Sequence, residues 1–230
     1  MSKRSMIFLS LLLLSVPALG RAQDAEPTVS RASRFFSHFD AGISGTAFFT
    51  KDVSGTVNNR SLGNPYPMTQ SASAAAGFLG IIRAQKSPYK GLEFTYGYGR
   101  LTESFSCCNQ DSTTGAYNGP FTSQNTASEY SLGYLARPDH EILGFKPFIS
   151  GGVGILAFTP TKYGGHSLPQ QARMTYYYHV GGERMVTESF GVRVGFRQLF
   201  YKAPDFGQNY LTILKTTFTS EPEAGVFVHF

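Results

Sequence analysis

Alternation of apolar with small or polar residues is the feature that most limits how this sequence can fold. In Phe190–Arg197 the odd members of the series are Gly191, Arg193, Gly195 and Arg197, and the even members are Phe190, Val192, Val194 and Phe196. Successive side chains of a β-strand point to opposite faces. The segment therefore predicts a strand with one apolar face and one polar or small face.

The same alternation recurs in eight segments, at 39–49, 72–84, 92–98, 128–136, 147–157, 174–182, 190–197 and 223–230. It is weakest in 72–84, where Leu79 and Ile81 fall on the otherwise polar face. Short connections near 85–90, 138–144 and 184–189 alternate with longer ones near 51–70, 104–124, 159–171 and 202–217. Short turns at one end and long loops at the other are typical of transmembrane barrels.

The second face of these segments carries glycine, serine, threonine and isolated charges of both signs. We expect the charged members to lie in a narrow lumen and to form ion pairs: Asp40, Arg83, Glu93, Glu129, Arg173, Glu183, Arg193, Arg197 and Glu223. Arg193 and Arg197 are predicted to pair with acids such as Glu183 or Glu223, because unpaired buried charges are costly. The alternative is a soluble lipocalin-like barrel or sandwich, which would bury the apolar face instead.

The N-terminus has the order of a secretion signal. Lys3 and Arg4 precede an apolar run over 6–16, and small residues follow up to Ala22. The run is too short for a membrane span of about 20 residues. The predicted organisation is a cleavable signal peptide at 1–22, a flexible segment at 23–35 and an all-β, eight-stranded antiparallel up-and-down transmembrane β-barrel at 36–230.

Composition and motifs exclude several classes of function. Charged residues make up 15% of the chain, too few for a disordered polyelectrolyte. Loss of Lys3, Arg4 and Arg21 with the signal would lower the 20 basic residues to 17 against 15 acids. A charge of this size gives little support to nucleic-acid binding. The sequence has no phosphate-loop, zinc or dinucleotide motif, so we expect no cofactor, no metal and no nucleic-acid partner.

Cysteines and histidines are the remaining candidates for chemistry. Cys107 and Cys108 are adjacent in the second predicted long loop, and in an exported protein they could form a vicinal disulfide, remain thiols or cross-link to another chain. His166 and Ser167 lie in the third loop and His179 on a strand, without the pattern of an outer-leaflet lipid deacylase. The alternative interpretations are a polar pair in a loop and a hydrogen-bonding network in the lumen. We therefore expect no enzymatic activity.

Taken together, these features resemble the small outer-membrane β-barrel family, the OmpA/OmpX-like group. The signal peptide, the glycine-rich segment 146–154 and the ending 225–230 carry the resemblance. Alternate apolar residues before a terminal phenylalanine, Val226, Val228 and Phe230, resemble the family's signal to the barrel assembly machinery. The family's peptidoglycan-binding domain has no counterpart here, so tethering to the cell wall is not implied.

The resemblance implies an integral protein of the bacterial outer membrane, in contact with membrane lipid and lipopolysaccharide. We expect a non-enzymatic barrel with a lumen filled by polar side chains, four external loops and a structural role in the envelope. Surface adhesion or ligand binding, a narrow channel and, less favoured, a lipid-modifying enzyme are the alternatives. The sequence names no extracellular ligand.

Overall fold

The computed structural model describes residues 38–57, 66–110 and 117–230, and the predicted signal peptide and flexible segment lie outside these ranges. A short 3₁₀ helix, Asn209–Leu211, accompanies ten strands within them. The strands are β1 (Phe39–Thr50), β2 (Val53–Val57), β3 (Tyr66–Ala72), β4 (Ala75–Ser87), β5 (Lys90–Gln110), β6 (Tyr117–Ala136), β7 (Lys146–Pro160), β8 (Gln171–Met185), β9 (Phe190–Lys202) and β10 (Thr216–His229).

Eight of the strands, β1 and β4 to β10, close into one antiparallel ring. β1 closes it by pairing with β4 on one side and β10 on the other, so that Ile43 lies opposite both Gly80 and Val226. From β4 to β10 each strand pairs with the next in the chain. The prediction of an eight-stranded, up-and-down antiparallel barrel is confirmed.

Three connections, 88–89, 137–145 and 186–189, define what we call the short-turn end of the barrel. The opposite end, the long-loop end, differs from the prediction because the described residues of 51–70 and 104–124 are largely strand. β2 and β3 form a hairpin that pairs with β5, and β5 and β6 run 21 and 20 residues. We call this addition of β2 and β3 to the ends of β5 and β6 the loop-end sheet.

The period of two persists into the loop-end sheet, but its outward face becomes polar. Beyond Tyr98, the outward residues of β5 are Arg100, Thr102, Ser104 and Ser106, while Phe105 stays buried. The apolar outward face that marked strands in the sequence is absent there, which explains why these residues were predicted as loop.

The outer wall of the barrel is a continuous apolar band. Ile43, Leu132 and Met174 expose 57%, 54% and 59% of their surface, and their neighbours on every ring strand are similar. Soluble monomers seldom expose apolar patches beyond a few hundred Å². The alternation is therefore inverted with respect to a soluble barrel, with its apolar face outside.

No helical segment within 38–57, 66–110 and 117–230 has both the length and the apolar character needed to cross a membrane.

Glycines on the inner wall make room for the large side chains that fill the lumen. A Cβ added to Gly195 would lie 2.8 Å from His179 Nε2, and one added to Gly181 would lie 2.7 Å from the Phe148 ring. A Cβ added to Gly133 would likewise collide with the Tyr177 side chain. An eight-stranded barrel is just wide enough for side chains to fill it, so each large residue needs a small one opposite.

Leu79 and Ile81, which weakened the pattern of β4, point into the lumen and are 0% and 1% exposed. Their strand alternates with the expected period of two. The lumen that they face therefore contains apolar as well as polar side chains.

Candidate functional site in the barrel lumen

The short-turn half of the lumen is filled by arginines and acids from facing strands. Arg83 Nε donates to Glu93 Oε2 at 2.7 Å, and its Nη1 donates to Glu183. Arg193 Nε donates to Glu183 Oε1 at 2.6 Å. All four side chains are buried. Shared carboxylates of this kind offset the desolvation cost that each isolated charge would carry.

His179 lies between two carboxylates in the same cluster. Its Nδ1 is 3.2 Å from Glu93 Oε1 and its Nε2 is 3.0 Å from Glu223 Oε1, and Ser150 Oγ donates to the same Glu93 oxygen at 2.6 Å. The imidazole therefore bridges two carboxylates across the lumen, one from β5 and one from β10.

A second charged cluster lies deeper, around Arg197. Its Nη1 donates to Glu129 Oε2 at 2.6 Å and to Glu221 Oε2 at 3.0 Å, and its Nη2 donates to Ser131 Oγ at 2.7 Å. The guanidinium carbon stands 4.3 Å from the centre of the Tyr177 ring, a cation–π contact. The guanidinium thus links β9, β6 and β10 across the barrel.

Arg137 ties the mouth of the short-turn end together. Its Nη2 donates at 3.0 Å both to Asp40 Oδ2 and to Glu183 Oε2, and His229 Nδ1 lies 2.5 Å from Asp40 Oδ1. An open cavity of about 560 Å³ lies at this mouth, lined partly by Lys146. Aqueous access therefore stops at the first layer of ion pairs.

Eight of the nine charged residues predicted to face the lumen fall into these clusters. Asp40, Arg83, Glu93, Glu183, Arg193 and Glu223 meet in the first, and Glu129 and Arg197 in the second. Arg193 has the expected partner, Glu183, whereas Arg197 pairs with Glu129 and Glu221 instead of Glu183 or Glu223.

Arg173 is the exception, because it lies at the long-loop end and pairs with Asp205 of the β9–β10 connection at 2.9 Å. Burial acts to raise the pKa of Asp205. Hydrogen bonds from Gln171 Nε2 and the Gly207 amide, together with the Arg173 charge, outweigh this effect and hold the pKa below its ordinary value. The pair anchors this connection to β8.

Sequence reasoning missed two members of the lumen network, Glu221 and Arg137, and the partners of a third. Glu221 shares the inward parity of Glu223, so extending the alternation of β10 by two residues would have found it. A lumen hydrogen-bonding network was one interpretation of His179, but the pattern does not show which acids lie across the barrel. Arg137 follows the last strand residue of β6, where alternation gives no signal.

The long-loop half of the lumen is apolar, which differs from the predicted polar interior. Leu101, Phe158 and Leu199 of the ring strands meet Phe206 and Leu211 of the β9–β10 connection in one buried cluster, and Val57, Met68 and Phe105 extend it into the loop-end sheet. Phe105 stacks on Phe121 with ring centres 4.8 Å apart. The loop-end sheet and the barrel mouth therefore share a hydrophobic core.

Two small cavities lie in the lumen. One, of about 20 Å³, lies between the two halves and is bordered by Leu101, Glu129 and Glu221, and another, of about 10 Å³, lies at the long-loop end beside Gln70 and Glu103. One water needs roughly 10–15 Å³ of such space. Among the described residues, the lumen offers no continuous path.

The other predicted sites are placed as follows. Cys107 is buried, and the side chain of Cys108 lies outside the described residues, so the vicinal disulfide stays a prediction. Val226, Val228 and Phe230 point outward at or just beyond the closing strand β10. In 38–57, 66–110 and 117–230, no three histidine, cysteine or acidic residues are grouped as metal ligands would be.

His166 and Ser167 are exposed in the β7–β8 connection, both with positive φ. The His166 ring packs edge-on against Phe121, with centres 5.5 Å apart. Within the described part of the chain, no carboxylate hydrogen-bonds to this histidine. A serine nucleophile needs a base that is itself held by a third group, and that arrangement is missing here.

No protein-family model matches the sequence, and a search of curated proteins finds no match. Solved structures do match the fold. The outer membrane protein OprG from Pseudomonas aeruginosa aligns with a TM-score of 0.56 at 12% identity, over 83% of this chain and 95% of that chain. AlkL, solved in lipid bilayers, gives 0.48 at 15% identity over 94% and 97%, and Neisserial surface protein A gives 0.45 at 17% over 83% and 97%.

The similarity to OprG concerns the backbone, because 12% identity carries no information on individual residues. The closed ring, the outward apolar band and the inward charges are independent observations that agree with it. The chain therefore has the fold of the small, eight-stranded outer-membrane β-barrels.

Proposed function

We propose that this chain is a non-enzymatic barrel of the bacterial outer membrane with a closed lumen and a structural role in the envelope. The closed lumen is the observation that carries the proposal. Ion pairs fill one half, the apolar cluster fills the other, and the internal cavities measure about 20 and 10 Å³. A general diffusion pore would need a continuous aqueous channel.

Membrane location is supported by the outward apolar band and by the fold. Export through a cleaved signal at 1–22, and insertion guided by Val226, Val228 and Phe230, belong to the same proposal. The pairing of β10 with β1 closes the ring, so a recognition signal on β10 would be accessible to the assembly machinery before these two strands pair.

The proposal predicts that the purified barrel does not conduct. The folded protein, verified by a heat-dependent shift in gel mobility, is added to planar bilayers in molar KCl, with a general porin as the positive control. Absence of stable conductance steps is expected. Reproducible steps from the folded fraction, absent from a boiled sample, would favour the narrow channel instead.

Surface binding is a second candidate, favoured by the loop-end sheet. Its core residues Val57, Met68 and Phe105 are 0%, 2% and 1% exposed, so the sheet presents a folded surface rather than mobile loops. Replacing residues 52–73 with a short Gly-Ser linker should leave the heat-dependent shift intact. Loss of adherence of expressing bacteria to epithelial monolayers would support binding, and unchanged adherence would argue against it.

A further inference from the structure

A groove crosses the outer wall of the barrel near the short-turn end. Its row of outward residues runs across four neighbouring strands, because Phe39 pairs with Ala84, Ala84 with Leu92 and Leu92 with Tyr134. Neighbouring strands are about 4.8 Å apart. Alanine between two large side chains therefore leaves a furrow, and the space measures about 1050 Å³.

Two lysines stand at the short-turn rim of this groove. Lys86 and Lys90 are exposed, line the groove and lie two residues from Ala84 and Leu92 on the same strands. The register of β4 and β5 shifts between Gln85 and Ser87, which makes Lys86 the extra residue of a β-bulge. Neither ammonium group forms an ion pair with any described residue.

The acid of the next turn, Asp139, accepts a hydrogen bond from the Tyr89 hydroxyl at 3.0 Å and forms no ion pair with either lysine. Tyr89 and Tyr134 are half exposed at the same end of the wall. Tyrosines of this kind mark the level of the lipid headgroups, so the lysines lie at the headgroup layer and the groove reaches into the acyl region.

A second groove in the wall provides a comparison. It measures about 570 Å³, and Leu132, Ile155 and Met174 contribute to its apolar lining. The basic residue bordering it is Arg173, which is engaged by Asp205 at 2.9 Å. Both grooves could accommodate an acyl chain, but the first also has unpaired positive charge where a phosphate would lie.

We propose that the groove at Ala84 binds one anionic glycerophospholipid of the periplasmic leaflet. An acyl chain lies over Ala84 between Phe39 and Leu92, and the phosphodiester lies between the ammonium groups of Lys86 and Lys90. This inference rests on the proposed function, because it requires the short-turn end to face the periplasm. It adds a lipid class and a site to that proposal.

Native mass spectrometry of the folded barrel in detergent tests the site, with phosphatidylglycerol and phosphatidylethanolamine of identical acyl chains as probes. Each lysine near an anionic headgroup should contribute about fivefold in affinity. Phosphatidylglycerol should therefore bind about 25-fold more tightly than phosphatidylethanolamine, and Lys86→Gln with Lys90→Gln should abolish the difference. Ala84→Phe should remove the adducts of both lipids by filling the groove.

Lys202→Gln and Ala172→Phe are the matched controls, since they change an exposed lysine at the other end and a small residue in the second groove. Neither should alter the preference for phosphatidylglycerol. Lipid A, the phosphorylated lipid of the opposite leaflet, should bind independently of Lys86 and Lys90.

Equal affinity for the two phospholipids, or a preference that survives the double lysine substitution, would overturn the inference. Lipid A binding that depends on the two lysines would reverse the assigned orientation and overturn it as well. Every variant is first checked for the heat-dependent gel shift. Absence of that shift in the wild-type protein would instead count against the membrane barrel itself.

Discussion

At the scale of single residues, the charges of the lumen depend on one another. Glu93 accepts hydrogen bonds from Arg83, Ser150 and His179, so no single donor compensates for the desolvation of its carboxylate. Removing one partner from such a network leaves a buried charge without compensation, which usually costs more than the pair contributes. His179 is the sharpest case, because its ring lies between two acids and contacts both.

His179→Ala should therefore lower the free energy of unfolding by about 3 kcal/mol. It leaves Glu93 and Glu223 without the imidazole that hydrogen-bonds to both. Unfolding is followed in urea for protein folded into liposomes, using the fraction that keeps the heat-dependent gel shift. His140→Ala is the control, since His140 is exposed in the β6–β7 turn. Equal stability of the two variants would contradict a bridging role for His179.

Alternation predicted which residues face the lumen, but not which residues meet there. Arg197 has an inward position that is evident from β9 alone. Its partner Glu129 lies 68 positions away in the sequence, on β6. The two side chains meet because of the strand order and register of the closed barrel, which the alternation within one strand does not reveal. The apolar half of the lumen was not predicted because every inward residue was expected to be polar, and for the same reason Leu79 and Ile81 looked like errors of alternation.

At the scale of elements, the loop-end sheet and the β9–β10 connection share one apolar cluster, but polar contacts hold the connection in addition. The sheet depends on aromatic packing, in which Phe105 contacts Phe121 and Phe206. The connection depends on polar contacts of Asp205, which accepts from Gln171 at 2.6 Å and from Thr212 at 3.1 Å. The two can therefore be perturbed separately, and the ring strands can stay paired in both cases.

Phe105→Ala should loosen the loop-end sheet without opening the barrel. A buried phenylalanine replaced by alanine costs about 3–5 kcal/mol, and here the loss falls on the ends of β5 and β6. We expect faster trypsin cleavage at the long-loop end and an unchanged heat-dependent shift. Tyr163→Ala, at a side chain that is 93% exposed, should change neither. Protease resistance equal to wild type would mean that the aromatic contacts do not hold the sheet.

The β9–β10 connection should detach in acid. The pKa of Asp205 is lowered in the folded protein, so its contribution to stability is complete above the ordinary aspartate pKa of about 3.9 and is lost as pH falls through the lowered value. Pepsin cleavage between 202 and 216 should therefore increase steeply below about pH 4. Asp205→Asn should make cleavage much less dependent on pH. A wild-type profile as flat as that of the variant would contradict this role.

At the scale of the whole molecule, one pattern read in the sequence accounts for both surfaces of the barrel. Period two alone does not distinguish a soluble barrel from a membrane barrel. The residue types do, because Gly195 and Gly181 leave room for His179 and Phe148 inside, and the wall outside carries Ile43 and Leu132. This distinction does not apply to the loop-end sheet, because its outward residues are polar.

The inverted pattern is tested by placing one charge at two depths on the same strand. Val153 lies in the middle of the outward row of β7, opposite Leu132 and Tyr176, whereas Thr159 lies at its long-loop end. Arginine on the lipid face costs about 2–4 kcal/mol at the midplane and about 0–1 kcal/mol near the interface. Val153→Arg should thus lower the free energy of unfolding in liposomes by about 3 kcal/mol, and Thr159→Arg by less than about 1 kcal/mol.

On a water-exposed wall, both substitutions would change stability by less than about 0.5 kcal/mol. Equal, small effects at the two depths would therefore refute a lipid-facing wall, whereas the depth dependence would follow only if the apolar band contacts hydrocarbon.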